Sequence, residues 1–237
     1  MKKIIFTGGS GRFGSKFKKI KNKFKIYFPD KKKLNITKIN SIRKFLKKIK
    51  PNYFIHCAAL SRPMNVHEKN ICKSIDINII GTSNVVKACE EMNIKLIYFS
   101  TNYIYPGTKG NYKETDPIFP INNYAISKLG GECAVKLYKN SLILRISMTE
   151  EPFVHKFAFN DVEMNFMYHD DFAKILLKLI NKKGTINVGG KKQTVYDFVK
   201  KKQKNILPMS AKKMINKKFP LKQSMNISKL KKILKGK

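Results

Sequence analysis

A phenol, an amine and a hydroxyl are spaced along the sequence so that together they could move a proton. Tyr124 and Lys128 stand four positions apart where a helical pattern begins, and residues with this spacing share one helix face, so the Lys128 ammonium could lie beside the Tyr124 phenol. A nearby cation would lower the phenol pKa from about 10 by roughly 1–3 units, toward the range that suits proton transfer. Thr101 follows an apolar strand and could hold the oxygen that gains or loses the proton. These residues predict a carbonyl/alcohol redox site, which requires a hydride carrier bound elsewhere on the chain.

A glycine-rich loop near the amino terminus is the candidate site for that carrier. An apolar strand over 3–7 runs directly into glycines at 8, 11 and 14. Such a loop turns tightly, approaches a pyrophosphate closely and presents the N–H groups of the next helix to the phosphates. Glycine spacing alone is a weak signal and is compatible with an ordinary turn, but the preceding strand and the helical pattern that follows favour dinucleotide binding.

An isolated acid after the second strand is the candidate ligand of the adenosine ribose. Asp30 lies 22 residues after Gly8 and is the first acid in the chain; the next is Glu68. Dinucleotide-binding folds place a ribose-binding acid about 20 residues beyond the glycine loop. Lysines at 31–33 follow directly and could accept a 2′-phosphate. We therefore expect NAD or NADP as the cofactor, with NADP slightly favoured. The alternative for Asp30 is an ordinary solvated surface acid.

Strands alternate with helical patterns along the first two thirds of the chain, which predicts an α/β fold with a doubly wound parallel sheet of the Rossmann type. His56 lies inside one of the apolar strands and is predicted to be a packed core histidine. We expect long helices over 71–92 and from about 122 to 138, which could pair with a second copy in a homodimer. The predicted strands span residues 3–7, 24–28, 53–59, 96–99, 141–147 and 184–188.

The pattern loosens after residue 148, which divides the predicted domains. Residues 1–148 are expected to form the dinucleotide-binding domain, with 170–190 packing back onto it. Residues 149–169 and 191–237 are expected to form a reduced substrate lobe and a basic tail, in which Asp197 is the only acid after Lys191.

Composition bounds the class of protein. At 237 residues with 42% hydrophobic content, the chain suits one large domain or one domain with a smaller lobe. No apolar run approaches the ~20 residues that cross a membrane, and we expect no membrane partner. Its four cysteines are widely spaced without a CxxC pair. Free thiols in a reducing cytoplasm, with no metal site, are therefore expected.

The formal charge of +35 raises the question of nucleic-acid binding. The excess is almost all lysine, spread through every segment together with many Ile and Asn residues, as AT-rich coding would produce. No helix-turn-helix, zinc finger or aromatic RNA-binding pattern accompanies it. We expect no specific nucleic-acid partner and a general attraction for anionic substrates.

Three motifs together resemble the extended short-chain dehydrogenase/reductase family, closest to its dTDP-4-dehydrorhamnose reductase subfamily. They are Thr7-Gly8-x-x-Gly11-x-x-Gly14, Ser100-Thr101 and Tyr124-x-x-x-Lys128. The resemblance covers nearly the whole chain and is densest up to Ser147. Supporting stretches are 34–37, 51–59, 78–82, 100–107, 114–117, 124–132 and 220–230.

The resemblance implies a role for each matching residue. Thr101, Tyr124 and Lys128 would be catalytic, Lys128 would also hold the nicotinamide ribose, and Asn78 would order a proton-relay water. The implied cofactor contacts are Gly8, Ser10, Gly11, Arg12, Phe13, Gly14, Asp30, Asn35, Ile36, Cys57, Ala58, Ala59, Asn78, Tyr124 and Lys128. The implied substrate contacts are Ser61, Asn102, Tyr103 and Arg145.

The chain also departs from the pattern of that family. Members usually carry Asp where Asn35 and Asn102 stand, and an aromatic residue near Met148 that covers the sugar. The segment between Ser147 and Tyr168, which builds the substrate lobe, is shortened.

The resemblance implies NAD(P)H-dependent reduction of the keto group of a nucleotide-linked 4-keto-6-deoxy sugar. One alternative keeps the fold and acts as an NAD-dependent nucleotide-sugar epimerase or dehydratase. A second alternative is a non-catalytic, dinucleotide-binding regulatory subunit that has lost its sugar site.

Overall fold

A six-stranded parallel sheet lies at the centre of the computed structural model, which describes residues 1–214 and 220–236. The elements up to the fifth strand are β1 (Lys3–Thr7), α1 (Arg12–Phe17), β2 (Lys25–Tyr27), α2 (Ile39–Ile49), β3 (Tyr53–His56), α3 (Val66–Lys69), α4 (Ile71–Ser74), a π-helical segment (Ile75–Ile80), α5 (Gly81–Glu91), β4 (Lys95–Thr101), a 3₁₀ turn (Asn102–Ile104), α6 (Asn123–Leu137) and β5 (Ser141–Ile146).

The chain after β5 consists of shorter elements with one further long helix. They are β6 (Met148–Thr149), β7 (Phe157–Phe159), β8 (Glu163–Met164), β9 (Met167–Tyr168), α7 (His169–Leu179), β10 (Gly184–Val188), β11 (Gln193–Thr194), α8 (Val195–Lys200), β12 (Leu207–Met209), a 3₁₀ turn (Ala211–Lys213) and α9 (Ser228–Leu234).

The strand order of the main sheet is β10-β5-β4-β3-β1-β2, with every pairing parallel. The chain leaves β1 toward β2 on one side and returns to β3 on the other. Such a reversal of strand order opens a crevice at the carboxyl ends of the strands, where doubly wound folds bind ligands. The predicted fold class is confirmed, and the switch point lies between β1 and β3.

Alternating apolar side chains build a separate core on each face of the sheet. Ile4 and Phe6 of β1 pack on the face covered by α1, α7 and α9, whereas Ile5 packs on the face covered by α2 and α5. This alternation follows from the two-residue period of a strand, and burial on both faces explains why the strands are apolar throughout. The sheet is therefore a rigid platform for the loops at its carboxyl edge.

A third apolar cluster lies outside the main sheet, in the region predicted to form the reduced substrate lobe. Its buried members include Val162, Met164, Val195 and Val199. Helix α7 and strand β10 belong instead to the main body, because β10 pairs with β5 and α7 packs against α1.

The basic tail returns to the main body instead of extending into solvent. Leu230 of α9 is buried in the main core, and Gln223 and Ser224 are fully buried. Residues 215–219 and 237, which the predicted tail includes, lie outside the described residues. Over the described chain, no helix is both long and apolar enough to cross a bilayer.

The helix predicted over 71–92 is helical almost throughout, but it is not a regular α-helix. A π-helical segment, Ile75–Ile80, separates α4 from α5. Such segments are rare and recur at functional sites because the extra residue per turn redirects a side chain. Here the segment carries Asn78, which is buried and contacts two other elements.

Candidate active site

Three neighbouring strands end at the same edge of the sheet, and each places predicted site residues there. Strand β1 leads into the glycine loop, β3 leads into Cys57, and β4 ends at Thr101. Because the pairing of β1, β3 and β4 is parallel and in register, these three strand ends lie side by side. The sheet therefore brings the predicted cofactor loop and the predicted catalytic hydroxyl to one edge.

The glycine loop packs so closely that side chains would not fit at two of its positions. Gly8 has a φ of +81°, and a Cβ there would stand 2.9 Å from the backbone nitrogen of Ala58. A Cβ on Gly14 would stand 2.3 Å from the carbonyl oxygen of Gly8. The Gly11 amide donates to the same oxygen at 3.0 Å. Glycine is therefore required for the turn and for the contact between helix and strand.

The glycine loop fits the phosphates of a dinucleotide. Ser10, Gly11 and Arg12 are exposed, and α1 begins at Arg12 with no acid in its first turn. Phe13 is buried among the aromatic side chains of the core, so it can offer a cofactor only its backbone. The loop therefore presents backbone donors to an anion, and Arg12, which also pairs with Glu150, adds a positive charge nearby.

The residues predicted to contact the adenosine end lie beyond β2, next to the glycine loop. Asp30 is exposed, and its Oδ1 accepts a hydrogen bond from the Lys33 amide at 2.9 Å. Asn35 is half-buried and its Oδ1 accepts from the hydroxyl of Thr37 at 2.9 Å. Ile36 is buried in the core. Asp30 therefore remains accessible to a ribose, whereas Asn35 stabilises its own turn.

Tyr124 lies near Thr101 at the end of β4. Asn122 caps α6 by accepting from the Ala125 amide at 2.8 Å, which fixes the start of the helix that carries Tyr124. The Thr101 side chain lies close enough to the Tyr124 phenol to lower the phenol's pKa. The predicted pair of hydroxyls is therefore assembled at the end of β4.

The predicted lowering of the Tyr124 pKa is wrong for this structure. Burial raises the pKa of Tyr124 to about 12, and nearby Tyr103 and Cys57 raise it further. The Thr101 side chain and the charge of Arg62 lower the pKa without offsetting the burial. The phenol is therefore protonated at neutral pH and is equipped as a proton donor.

Lys128 is one helical turn away from Tyr124, and its ammonium contacts the ring of Tyr98. Its Nζ lies 4.2 Å from the ring centre of Tyr98, in cation–π contact. The side chain is almost completely buried. Burial lowers the pKa of Lys128 to about 7, against opposing contributions from Cys57 and Glu132. The ammonium is therefore weakly held and titrates near neutrality.

Asn78 joins three elements around the site. Its Oδ1 accepts from the Leu60 amide at 2.8 Å, and its Nδ2 donates to the Leu60 carbonyl at 2.9 Å and to Ser127 Oγ at 2.8 Å. Ser127 Oγ in turn donates to the carbonyl of Tyr124 at 2.8 Å. The Asn78 side chain therefore positions the helix that carries Tyr124. Because Oδ1 and Nδ2 of Asn78 already have protein partners, the structure does not support the implied role of Asn78 in ordering a relay water.

The end of β3 is lined by small residues, as predicted for a strand that a flat cofactor crosses. Cys57, Ala58 and Ala59 are all half-buried. Burial raises the pKa of the Cys57 thiol to about 12, while Lys128 lowers it. His56, just before them, bonds Thr7 Oγ1 at 3.0 Å, and burial lowers its pKa to about 3. The prediction of a packed core histidine is confirmed.

Three of the four predicted substrate residues lie near the carboxyl edge. Ser61 is half-buried in the loop after β3, and Tyr103 is partly buried beside Tyr124. Asn102 is 2% exposed, and its Nδ2 has no hydrogen-bond partner among the described residues. An unsatisfied buried amide is costly, so a ligand group that bonds it would be favoured.

The fourth predicted substrate residue, Arg145, is not brought to the site. Its Nη2 pairs with Glu132 Oε1 at 2.7 Å, and its Nη1 donates to the Tyr105 hydroxyl at 2.7 Å and to the Glu114 carbonyl at 3.0 Å. Arg145 and Glu132 are both buried. The guanidinium is committed to an internal ion pair, so the structure removes Arg145 from the substrate contacts.

Sequence reasoning missed two contacts of the site. Glu150 accepts from Arg12 at 2.6 Å and from Arg62 at 3.1 Å, which ties the glycine loop to the loop after β3. The His67 ring lies 5.3 Å from the Tyr124 ring in an edge-on arrangement. Neither contact joins residues at a recognisable spacing, so no local pattern could have indicated them.

Comparisons with known proteins place this site in a family. A family model described as RmlD substrate binding domain matches residues 1–194. A dTDP-4-dehydrorhamnose reductase from Aggregatibacter actinomycetemcomitans is 28% identical over 193 residues, covering 79% of this chain and 60% of that protein. Methionine adenosyltransferase 2 subunit beta from Bos taurus is 28% identical over 143 residues, covering 56% of this chain and 42% of that protein.

A solved structure gives the same result at the level of the fold. The crystal structure of dTDP-4-dehydrorhamnose reductase from Bacillus anthracis in complex with NADP has a TM-score of 0.85 and 28% identity, covering 100% of this chain and 92% of that chain. The chain spans only 60% and 42% of the two curated relatives. The resemblance to extended short-chain dehydrogenases/reductases is confirmed, and with most of its residues matched the chain belongs to the RmlD substrate binding domain family.

Proposed function

We propose that the protein reduces the keto group of a nucleotide-linked 4-keto-6-deoxy sugar with NADPH or NADH. The proximity of Thr101 to Tyr124, at the strand edge that carries the glycine loop, is the observation on which the proposal rests. Similarity to a dTDP-4-dehydrorhamnose reductase, and to the structure of another in complex with NADP, supports both the reaction and the cofactor. The expected setting is deoxysugar synthesis in the cytoplasm.

The chain's own residues would bind the dinucleotide in two places. The glycine loop from Gly8 to Gly14 would hold the pyrophosphate through backbone donors, with Arg12 adding a charge. Asp30 would bind the adenosine ribose, and the lysines at 31–33 would favour a 2′-phosphate. When bound, the nicotinamide supplies the hydride; every other requirement of the reaction falls on the protein.

Tyr124 would donate the proton that the reduced carbonyl oxygen needs. Because its pKa is raised to about 12, the phenol carries a proton at any physiological pH and releases it only to a strongly basic alkoxide. Thr101 would hold that oxygen in line through a hydrogen bond, so the developing charge is stabilised where it forms. Lys128, buried behind the site, would bind the nicotinamide ribose.

The substrate would lie against the loops that follow β3 and β4. Asn102 offers an unsatisfied amide donor there, and Ser61 and Tyr103 offer hydroxyls. Residues 149–169 and 191–237 would form the reduced lobe over the sugar, and residues 1–148 together with 170–190 the cofactor domain. A homodimer through the long helices remains part of the proposal.

A regulatory subunit is the second candidate, supported by the similarity to methionine adenosyltransferase 2 subunit beta over about half of the chain. Such a protein would keep the dinucleotide site without turnover. The proximity of Thr101 to Tyr124 favours the reductase, since a non-catalytic subunit has no need of it. An epimerase or dehydratase with permanently bound NAD is the third candidate function.

One assay separates the three. Purified protein is incubated with NADPH or NADH and dTDP-4-keto-6-deoxy sugar, and both cofactor oxidation and the sugar product are followed. The reductase consumes one cofactor per reduced sugar. An epimerase converts the sugar without consuming added cofactor, and a regulatory subunit binds NADPH and leaves it intact; either result would replace the proposal.

A further inference from the structure

A polar surface pocket of about 300 Å³, open to solvent and called the cavity below, lies at the edge of the sheet opposite the candidate active site. It is lined where strands β1, β3, β4 and β10 begin, whereas the glycine loop and Thr101 lie where strands end. Its size falls at the lower end of the range for small-molecule sites. Its lining includes Lys2, Asn52, Tyr53, Lys95, Asn181 and Lys183.

Three ammonium groups surround this cavity, and no carboxylate is among its lining residues. Lys2, Lys95 and Lys183 form no ion pair with any acid in the described ranges 1–214 and 220–236. Lys95 is 8% exposed and donates to the Ser141 carbonyl at 3.1 Å. No acid among the described residues therefore compensates the positive charge of the cavity.

Burial and a neighbouring cation both lower the pKa of Lys95. Burial lowers the pKa of Lys95 to about 8, and the charge of Lys183 lowers it further in the same direction. Burying a lysine beside a second lysine costs folding free energy unless a bound anion offsets the repulsion between the two charges. A bound anion would raise the pKa of Lys95 again.

Asn52 and Asn181 have their side-chain acceptors occupied and their donors left over, whereas the Asn140 amide donates to Asn93. Asn52 Oδ1 accepts from the Lys3 amide at 2.9 Å, and Asn181 Oδ1 accepts from the Tyr53 hydroxyl at 2.8 Å. Neither Nδ2 donates to a partner within the described residues. The cavity thus offers ammonium and amide N–H groups together, with few acceptors for a cation or a neutral polar ligand.

We propose that this cavity binds a small phosphate-bearing anion, either free phosphate or a phosphorylated metabolite. A phosphate accepts several hydrogen bonds and donates few, which matches a lining of donors, and lysine is a common point-charge ligand for it. The volume leaves room for a group attached to the phosphate. The site is independent of the proposed reductase activity, because it lies at the other edge of the sheet.

The test is calorimetric titration of the full chain with pyrophosphate at moderate salt, with saturating NADP⁺ present to occupy the cofactor site. A double variant, Lys95→Met with Lys183→Gln, should weaken binding at least about tenfold. The matched control, Lys44→Gln with Lys48→Gln, removes the same charge from the exposed face of α2 and should change it less than about twofold. Inorganic phosphate and glucose 6-phosphate as further ligands decide between the two sources.

Proton linkage gives a second readout. At about pH 8.5 the free Lys95 amine is mostly neutral, so binding should take up a proton, and at about pH 6.5 it should not. Lys95→Met should lose this extra proton uptake. Lys183 is exposed, so Lys183→Gln should leave the fold intact and should weaken binding by itself. Equal loss in the control variant, absence of binding, or displacement by NADP⁺ would overturn the proposal.

Discussion

Lys128 Nζ lies 4.2 Å from the centre of the Tyr98 ring, and this contact changes the role of the lysine. The aromatic face supplies a weak attraction to the buried ammonium, and the pKa of Lys128 falls to about 7 because burial disfavours the charged form. The Lys128 amine can therefore gain a proton when a hydrogen-bond acceptor binds beside it, whereas the Tyr124 phenol stays protonated.

Cofactor binding should therefore take up a proton. If Lys128 binds the nicotinamide ribose, the ribose hydroxyls favour the ammonium and raise its pKa. At about pH 8 the free amine is mostly neutral, so uptake should approach one proton per NADPH, and at about pH 6 it should vanish. Calorimetry in buffers of different ionisation enthalpy measures this. Lys128→Met should abolish it, and uptake unchanged in that variant would assign the proton elsewhere.

Loss of the Asn78 amide should impair catalysis through the position of Tyr124. Asn78→Ala leaves the Leu60 amide and carbonyl without their partner and frees Ser127, so we expect a loss of about 1–3 kcal/mol in stability and a lower kcat. Ser127→Ala, which keeps the clamp on Leu60, should lower kcat with little loss of stability.

The matched control for Ser127→Ala is Ser83→Ala, since Ser83 donates to the Ile79 carbonyl in the same helical manner, away from Tyr124. Urea titration and steady-state kinetics separate the two effects. Equal kcat values for Ser127→Ala and Ser83→Ala would show that the Asn78–Ser127 contact does not position Tyr124.

Thr101 should matter through its hydroxyl and little through its size. Thr101→Val keeps the shape but removes the hydroxyl that lowers the pKa of Tyr124, so the phenol becomes a weaker acid and loses its partner for orienting the substrate oxygen. We expect kcat to fall by about 10²-fold or more. Thr101→Ser should restore most of the activity. Full activity in Thr101→Val would remove the hydroxyl from the mechanism.

Arg145 should be a residue of stability and not of substrate binding. Arg145→Met removes the buried partner of Glu132 and leaves that carboxylate with Ser100 and the partly exposed Lys136, so the loss should approach the roughly 3–5 kcal/mol typical of a broken buried ion pair. The double change with Glu132→Gln should recover part of that loss. Urea midpoints of both variants provide the measurement; a stable Arg145→Met protein with a raised KM would instead return Arg145 to the substrate site.

The sequence predicts the fold, and it predicts that Thr101 and the glycine loop lie at the same edge of the sheet, because these features are encoded in local patterns. Glycines 8, 11 and 14 occur where the backbone tolerates no side chain at two of the three positions, and the strand patterns fix a sheet whose carboxyl edge must join Thr101 to the glycine loop. The cap at Asn122 likewise marks the start of α6 in the sequence itself.

The directions of long side chains could not be predicted, since they depend on distant partners. Helical spacing puts Lys128 on the face of Tyr124, but the ring of Tyr98, from β4, attracts its ammonium. Arg145 stands at the end of β5 as a substrate contact might, yet Glu132 from α6 holds it inside. Both outcomes follow from charge burial across elements, which no spacing along one element encodes.

The most direct test is the single-turnover and steady-state rate of NADPH oxidation by Tyr124→Phe with dTDP-4-keto-6-deoxy sugar, beside Tyr138→Phe, at the far end of α6, as a control. We expect a loss of kcat of about 10²–10⁴-fold in Tyr124→Phe, NADPH affinity within about twofold of the parent, and parental rates in Tyr138→Phe. Parental turnover in Tyr124→Phe would contradict the assignment of Tyr124 as the proton donor.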